Sequence, residues 1–234
     1  MKYEAILLAA GSGKRMESEE NKVFLELGNR AILSYSIDLF LADEKCVHLI
    51  LVGKTSEMSE LKKLVPQSKK AVSFVVGGSE RQYSVYAGVK AIKNDENAIL
   101  VHDGARPFVR KEQIDDLCLA LEENHAVLLG VPVKDTIKSV FNKKVAKTVP
   151  REALYGAQTP QMIRGQMFYQ GHLWAEEDDF LGTDDVSLVE EYFPEATIEM
   201  VNGSYENIKL TTPEDLILGE AILNNKRAKG EENG

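Results

Sequence analysis

The chain has 234 residues, of which 44% are hydrophobic and 28% charged, enough apolar material for one sizeable core. Its net charge of −9 argues against a nucleic-acid partner, because such binding needs a broad basic surface. Cys46 and Cys118 lack zinc-site or disulfide-framework spacing, so we expect buried free thiols. The apolar run Ala5–Ala10 is too short for a signal-peptide core or a membrane span, which predicts a cytoplasmic protein without a membrane partner.

Short β-branched apolar runs alternate with longer amphipathic stretches over the first ~135 residues. The expected strands are Ala5–Ala10, Val47–Val52, Val72–Val76, Ile99–Val101 and Ala126–Val133. The expected helices are Leu33–Leu41, Met58–Leu64, Gln82–Ile92 and Gln113–Leu121. This order predicts an α/β fold with a Rossmann-like, mostly parallel sheet covered by helices. In such a sheet ligands bind at the carboxyl ends of the strands.

The pattern changes after Val133, where a hairpin is expected to leave the sheet and form a protruding arm. Its strands are Thr136–Phe141 and Lys144–Val149, and the arm spans about residues 135–158. The elements expected after it are helices at Gln166–Glu176 and Asp184–Tyr192, a strand at Thr197–Val201 and a closing helix from Pro213 to about Asn224. We expect one domain over residues 1–225 and a disordered tail over 226–234.

The first expected strand runs into the loop Ala10-Gly11-Ser12-Gly13-Lys14-Arg15-Met16. Its small residues let backbone N–H groups approach an anion, and its two cations supply charge, which suits a triphosphate. The loop is not a Walker A motif, which would need glycine at Leu8 and Ser or Thr at Arg15. It is not a dinucleotide fingerprint either, because Met16 replaces the third glycine. The alternative is a tight turn without a ligand.

Two further segments combine a polar group with a local anchor. Lys22 precedes the apolar run Val23–Leu25, which would pin it within reach of a phosphate, although a solvated surface lysine is the alternative. The stretch Gly77–Val85 places two glycines and Ser79 between a strand and a helix. Ser79 is a candidate N-cap, and the glycines permit close approach of a base or ribose; an ordinary capped turn is the alternative.

The stretch Val101–Pro107 places a lone carboxylate, Asp103, at a strand end beside small residues. Such a carboxylate can hold Mg²⁺ against phosphate oxygens, and Arg106 can bind phosphate through two hydrogen bonds. The alternative is a structural Asp103–Arg106 ion pair. His102 is interpreted as structural or as a support for residues that contact the ligand, because no partner histidine or nucleophile has metal-site or catalytic-triad spacing with it.

Further polar groups lie near later element ends. They are Lys134-Asp135-Thr136, Arg151, Gln158-Thr159-Pro160-Gln161, Thr183-Asp184-Asp185 and Asn207-Ile208-Lys209. Each also has an alternative without a ligand, since Thr183 or Asp184 can cap a helix and Lys209 can be a surface lysine.

In this order, six motifs resemble the 2-C-methyl-D-erythritol 4-phosphate cytidylyltransferase family of the non-mevalonate isoprenoid pathway, from Ala5 to about Leu223. They are AAGSGKRM, VVGGSERQYSV, VHDGARPFV, VPVKDTIK, AQTPQ and NIKLTTPEDL. The resemblance implies transfer of CMP from CTP to a sugar-alcohol phosphate, with release of pyrophosphate. A ribitol 5-phosphate cytidylyltransferase is the nearest alternative. A regulatory module that binds nucleotide without catalysis is the alternative from another class.

The resemblance also implies residue roles. The CTP triphosphate would be lined by Ala10, Gly11, Gly13, Arg15 and Lys22, and the base and ribose by Gly78, Ser79 and Ser84. Asp103 would carry Mg²⁺ or another divalent cation, and the acceptor side would comprise Arg106, Thr136, Arg151, Thr183 and Lys209. Arg15, Lys22 and Lys209 would be catalytic. A homodimer is implied, in which Arg151 reaches the partner subunit's site from the arm.

One departure from the family pattern concerns the residue before Lys22. Many relatives have proline at this position, and this chain has Asn21. Proline fixes the backbone angle φ, so its loss predicts a more mobile loop around Lys22.

Overall fold

A computed structural model describes residues 1–11 and 21–230. In chain order the strands are β1 (Tyr3–Leu8), β2 (Glu26–Leu27), β3 (Arg30–Ala31), β4 (Cys46–Gly53), β5 (Ala71–Val76), β6 (Ala98–Asp103), β7 (Ala126–Pro132), β8 (Ile137–Phe141), β9 (Lys144–Val149), β10 (Tyr155–Arg164) and β11 (Ile198–Asn202). The helices are α1 (Ile32–Ala42), α2 (Met58–Lys63), α3 (Arg81–Val89), α4 (Lys111–Glu123), α5 (Gly165–Glu177), α6 (Ser187–Tyr192) and α7 (Pro213–Ala228).

A seven-stranded sheet with the order β11-β7-β10-β6-β1-β4-β5 forms the centre of the described chain. Its strands run parallel, except that β10 is antiparallel to both of its neighbours, β6 and β7. The predicted Rossmann-like, mostly parallel sheet is therefore confirmed. The chain adds β4 and β5 on one side of β1 and then returns to place β6 on the other side. The sheet thus has a topological switch point between β1 and β6.

Helices cover both faces of the sheet, because the side chains of the buried strands alternate between two apolar cores. Ala5 and Leu7 of β1 belong to the core beneath α1 and α4. Ile6, between them, belongs to the core beneath α3, α5 and α6. Both cysteines are buried free thiols, as predicted. None of the helices in the described ranges combines the length and the apolarity that crossing a bilayer requires.

Strand β10 was not predicted. The stretch contains Gln158, Thr159 and Gln161 around Pro160, and a proline flanked by polar residues argues against a central strand. In the structure these three polar side chains are buried and hydrogen-bonded, and the pairing with β7 is irregular between Ala157 and Gln161. Tertiary hydrogen bonds therefore outweigh the local sequence preference here.

The hairpin of β8 and β9 forms its own two-stranded sheet, as predicted. Its turn residues Asn142 and Lys143 have φ values of 48° and 63°, the left-handed conformation that a two-residue hairpin turn requires. The predicted arm was residues 135–158. Strand β10 begins at Tyr155, so the last residues of that range pair with β7 in the central sheet and do not belong to the arm.

The closing helix α7 begins at Pro213 behind a Thr212 N-cap and runs to Ala228, beyond the predicted end near Asn224. Residues 226–228 of the predicted tail are therefore helical, and Lys226 is only 4% exposed. Residues 231–234 of that tail lie outside the described part of the chain.

Candidate active site

A cavity of about 460 Å³ opens at the carboxyl ends of β1, β5 and β6. Leu8 at the end of β1 is in register with Asp103 at the end of β6, so the loops that follow these strands meet at one edge. The cavity therefore lies at the switch point where the fold predicts ligand binding.

Eight predicted site residues line this cavity. They are Ala10, Gly11, Lys22, Gly78, Ser79, Ser84, Asp103 and Lys209. They come from segments separated by up to about two hundred residues, and the parallel sheet brings them together. Gly13 and Arg15, also predicted for the triphosphate, lie outside the described residues.

Asp103 contacts two of the cationic side chains that line the cavity. Its Oδ2 is 2.7 Å from Lys209 Nζ and its Oδ1 is 3.3 Å from Arg81 Nε. Burial would raise the pKa of this carboxyl, but the charges of Arg81 and Lys209 outweigh it and hold the pKa well below its usual range. Among the described residues the ion-pair partners of Asp103 are thus Arg81 and Lys209, and the alternative Asp103–Arg106 pair is wrong.

Lys209 reaches Asp103 because its segment is fastened to the turn after β6. Leu210 N donates to Ala105 O at 2.9 Å, and Arg106 Nη1 donates to Asn207 O at 2.7 Å. Asn207 in turn donates through Nδ2 to Thr159 O at 3.0 Å. In this structure Arg106 therefore holds the Lys209 segment, and it does not line the cavity.

The glycine turn after β5 is held by Ser84. Gly78 N donates to Ser84 Oγ at 3.1 Å, and Ser84 Oγ donates to Glu80 O at 3.1 Å. A side chain at Gly78 would put its Cβ 2.5 Å from Tyr83 Cβ, so the turn requires glycine. The prediction that Ser79 is the N-cap is wrong, because Glu80 takes that position and Ser79 is exposed at the cavity wall.

Lys22 lies in a 3₁₀ turn, Lys22–Phe24, whose preceding residue is a hydrogen-bonded anchor. Asn21 is 4% exposed, and its Nδ2 donates to Ala9 O at 2.6 Å and to Glu57 Oε2 at 2.8 Å. Its Oδ1 accepts from Val23 N at 3.4 Å. Asn21 thus ties the segment that carries Lys22 to the residue that follows β1, and the greater mobility expected of the loop around Lys22 stays a prediction.

His102 has the structural role that the sequence predicted. Its Nε2 is 3.0 Å from Arg106 O and its Nδ1 is 3.1 Å from Thr159 Oγ1. Burial lowers its pKa to about 4, so the ring is neutral near pH 7. A carbonyl only accepts, so Nε2 carries the proton and Nδ1 accepts from Thr159. Thr159 Oγ1 also accepts from Asp103 N at 3.0 Å, which fixes the backbone of the cavity's carboxylate.

Sequence reasoning missed Arg81. Its Nη1 and Nη2 donate to the two oxygens of Asp185 at 2.8 and 2.7 Å, while its Nε contacts Asp103. Asp185 is 3% exposed and lies far along the chain. The only local signal was a charged residue directly after the glycine turn, which does not reveal its partners.

Besides Arg106, three predicted acceptor residues do not line this cavity. Thr136, Arg151 and Thr183 are exposed, and Arg151 Nη1 donates to Lys134 O at the base of the hairpin. Their role in binding the acceptor stays a prediction.

Within the described residues no group of three or more His, Cys, Asp or Glu side chains has the arrangement of a protein-only metal site. Asp103 supplies one ionised carboxylate at the cavity wall. Mg²⁺ is commonly held by one or two carboxylates together with substrate phosphates and water. The donor set therefore fits a Mg²⁺ ion that arrives with a nucleoside triphosphate.

The described lining residues carry a small excess of positive charge, since Lys22, Arg81 and Lys209 outnumber the carboxylates Glu80 and Asp103, and this suits an anionic ligand. A strand-end cavity with glycine turns and this charge is typical of nucleotidyltransferases.

The particular family follows from comparison with known proteins. The family model for 2-C-methyl-D-erythritol 4-phosphate cytidylyltransferase matches residues 3–225. The chain belongs to this family, which confirms the resemblance inferred from its motifs.

Individual relatives agree with that assignment. The chain is 45% identical over 231 residues to a 2-C-methyl-D-erythritol 4-phosphate cytidylyltransferase of Halalkalibacterium halodurans, covering 98% of this chain and 100% of that protein. It is 44% identical over 229 residues to the protein of the same name from Bacillus pumilus, covering 97% and 99%.

Solved structures show the same fold. A 4-diphosphocytidyl-2C-methyl-D-erythritol synthase of Anaerococcus prevotii superposes with a TM-score of 0.86 at 30% identity, covering 95% of this chain and 98% of that one. The 2-C-methyl-D-erythritol 4-phosphate cytidylyltransferase of Thermus thermophilus gives a TM-score of 0.78 at 27% identity, covering 96% and 100%.

Proposed function

We propose that this protein transfers CMP from CTP to 2-C-methyl-D-erythritol 4-phosphate and releases pyrophosphate, in non-mevalonate isoprenoid biosynthesis. The observation that carries the proposal is the convergence of Lys22, Lys209 and Asp103 on one cavity beside two backbone turns. Family membership supports the methylerythritol acceptor over ribitol 5-phosphate.

In the proposed reaction a phosphate oxygen of the acceptor attacks the α-phosphorus of CTP in line with the departing pyrophosphate. Two anions must approach each other, so positioning and charge neutralisation contribute most of the rate enhancement. Lys22 and Lys209 come from distant parts of the sequence and supply positive charge to one cavity, and the Gly78 turn, which lines the same cavity, would lie beside the base and ribose. This division of tasks requires no covalent bond to the enzyme.

Mg²⁺ fits this scheme with Asp103 as its protein ligand, and when bound it would neutralise phosphate charge. Asp103 is already ionised and is held at both oxygens by cations. Lys209 is therefore placed to exchange its contact with Asp103 for a substrate phosphate.

The remaining predicted roles complete the proposal. Gly13 and Arg15 would extend the triphosphate cradle from the segment after Gly11. Arg106, Thr136, Arg151 and Thr183 would bind the acceptor, with Arg151 acting in the partner subunit's site of a homodimer. The exposed apolar side chains of the hairpin suit a subunit contact; they are Val140, Phe141 and Val145. We also propose one nucleotidyltransferase domain that works in the cytoplasm.

The deciding experiment measures pyrophosphate release from CTP and Mg²⁺, with 2-C-methyl-D-erythritol 4-phosphate and D-ribitol 5-phosphate offered separately. Faster turnover of the first supports the proposal. Preference for the second would move the enzyme to polyol-phosphate activation. CTP binding without release for either acceptor would favour a regulatory module.

A substitution tests the site itself. Lys22→Ala is expected to lower kcat at least ~100-fold, the scale of losing one preorganised transition-state contact. The matched control is Lys63→Ala, since the Lys63 side chain is 68% exposed and pairs with Glu60 away from the cavity. Turnover of Lys22→Ala close to that of the control would contradict the assigned role.

A further inference from the structure

We propose that Arg81 is a positioning residue for this reaction, which fixes one oxygen of the Asp103 carboxylate so that Asp103 keeps its place when Lys209 turns to the substrate. The inference rests on the proposed function. It concerns a side chain that the sequence motifs left without a role, although it lines the cavity.

All three guanidinium nitrogens of Arg81 contact protein carboxylates. Nη1 and Nη2 form a two-bonded pair with Asp185 at 2.8 and 2.7 Å, and Nε points to Asp103 Oδ1 at 3.3 Å. A planar guanidinium with these bonds has one allowed orientation. Arg81 is therefore better suited to hold a carboxylate than to follow a moving phosphate.

The other end of the pair is also fixed. Asp185 is 3% exposed, and its backbone N donates to Gln161 Oε1 at 3.0 Å. Val186 N donates to the same oxygen at 3.0 Å, and Gln161 Nε2 donates to Asp184 Oδ2 at 3.0 Å. Since Gln161 belongs to β10 in the central sheet, Arg81 links Asp103 to a rigid part of the fold.

The second cation on Asp103 is held differently. Lys209 contacts Oδ2 through a single ammonium group at the end of a flexible stem. A catalytic lysine must leave this contact to reach a phosphate. The carboxylate thus has one fixed partner at Oδ1 and one exchangeable partner at Oδ2.

The test compares a role in positioning Asp103 with a purely structural link between α3 and the Asp185 segment. Arg81→Gln alone would leave Asp185 buried without its cation, so the variant of choice is Arg81→Gln with Asp185→Asn. Arg30→Gln with Asp38→Asn is the matched control, because Arg30 and Asp38 form an ion pair whose side chains are 44% and 39% exposed. Unfolding curves confirm that each variant is folded.

We expect the Arg81/Asp185 variant to lower kcat about 100-fold with little change in KM for CTP, since a small misplacement of a reacting group has effects of this size. When Asp103→Asn is already present, the same pair of substitutions should lower kcat by less than about threefold, because the residue that Arg81 positions is gone. A crystal structure of the variant should show a displaced Asp103 carboxylate.

Three results would overturn the inference: wild-type kcat in the folded variant, an equal loss of kcat with and without Asp103→Asn, or an unmoved carboxylate. If the double substitution prevents folding, Arg81→Lys decides, because a lysine keeps the charge and cannot bond both carboxylates. Full kcat in Arg81→Lys would then reject the inference. A wild-type enzyme without turnover would reject the proposed function instead, so the two failures are distinguishable.

Discussion

The side chain of Asn21 offers a quantitative test of how Lys22 is held. Replacing Asn21 by Ala removes donors from Ala9 O and Glu57 Oε2 and an acceptor from Val23 N. A neutral hydrogen bond contributes about 1 kcal/mol net, and one to a charged group about 1.5–3 kcal/mol. The Val23 bond is long at 3.4 Å and counts for little. Asn21→Ala should therefore lower the free energy of unfolding by about 2–4 kcal/mol.

Two companion variants separate the side-chain bonds from the backbone geometry. Asn21→Asp keeps the shape and puts a carboxylate beside Ala9 O and Glu57, so it should destabilise the protein at least as much as Ala. Asn21→Pro loses the same bonds, but the φ of −67° at this position already suits proline. It should recover about 0.4–1 kcal/mol relative to Ala by restricting the unfolded chain.

The assay combines urea unfolding with pyrophosphate release for the three variants and the wild type. If Asn21 positions Lys22, kcat should fall in Asn21→Ala and be partly restored in Asn21→Pro. Wild-type stability and kcat in Asn21→Asp would refute this reasoning, since that variant removes both donor contacts while preserving volume.

Two further predictions concern the pH dependence of stability, from His172, and the packing around Gly104 beside the cavity. Burial lowers the pKa of His172 to about 3, so the folded protein keeps the ring neutral, while the unfolded chain gains a proton below about pH 6.5. Stability should therefore fall with decreasing pH by up to ~1.4 kcal/mol per unit from this residue. His172→Phe, which keeps a ring against Tyr86, should flatten urea-unfolding stability between pH 6.5 and 4.5; an unchanged slope would contradict this. A Cβ at Gly104 would lie 2.4 Å from Leu33 Cδ1 and 2.7 Å from Leu8 O, so Gly104→Ala should cost about 1–3 kcal/mol in unfolding experiments and lower turnover; wild-type values for both would argue against tight packing there.

Features that depend on local pattern were predictable from the sequence. The short continuous apolar run Ala5–Ala10 predicted a buried strand. In the structure the side chains of β1 alternate between two apolar cores. The residues at the carboxyl ends of parallel strands must share an edge, which is why Gly11, Gly78 and Asp103 were correctly expected together. Lys22 and Lys209 could equally have been surface lysines on their local pattern, and the family resemblance favoured their functional interpretation.

Features that depend on distant partners were not predictable in the same way. The sequence does not reveal that Arg81 pairs with Asp185, because the two residues lie far apart along the chain and belong to no common motif. Likewise, nothing in the sequence indicated that Arg106 Nη1 donates to Asn207 O, a backbone oxygen about one hundred residues further along the chain. The hydrogen-bond partners of charged side chains are set by the completed fold.

Strand β10, which the sequence did not predict, supports the two carboxylates that Arg81 contacts, Asp103 and Asp185. Its Thr159 accepts from Asp103 N, and its Gln161 accepts from Asp185 N, so one strand fixes the backbone at both carboxylates bridged by Arg81. Buried backbone N–H groups at these positions need acceptors, and here side-chain oxygens of β10 provide them, which apolar side chains could not do. The polar residues that argued against a strand in this segment are thus the ones that fix the backbone of both carboxylates.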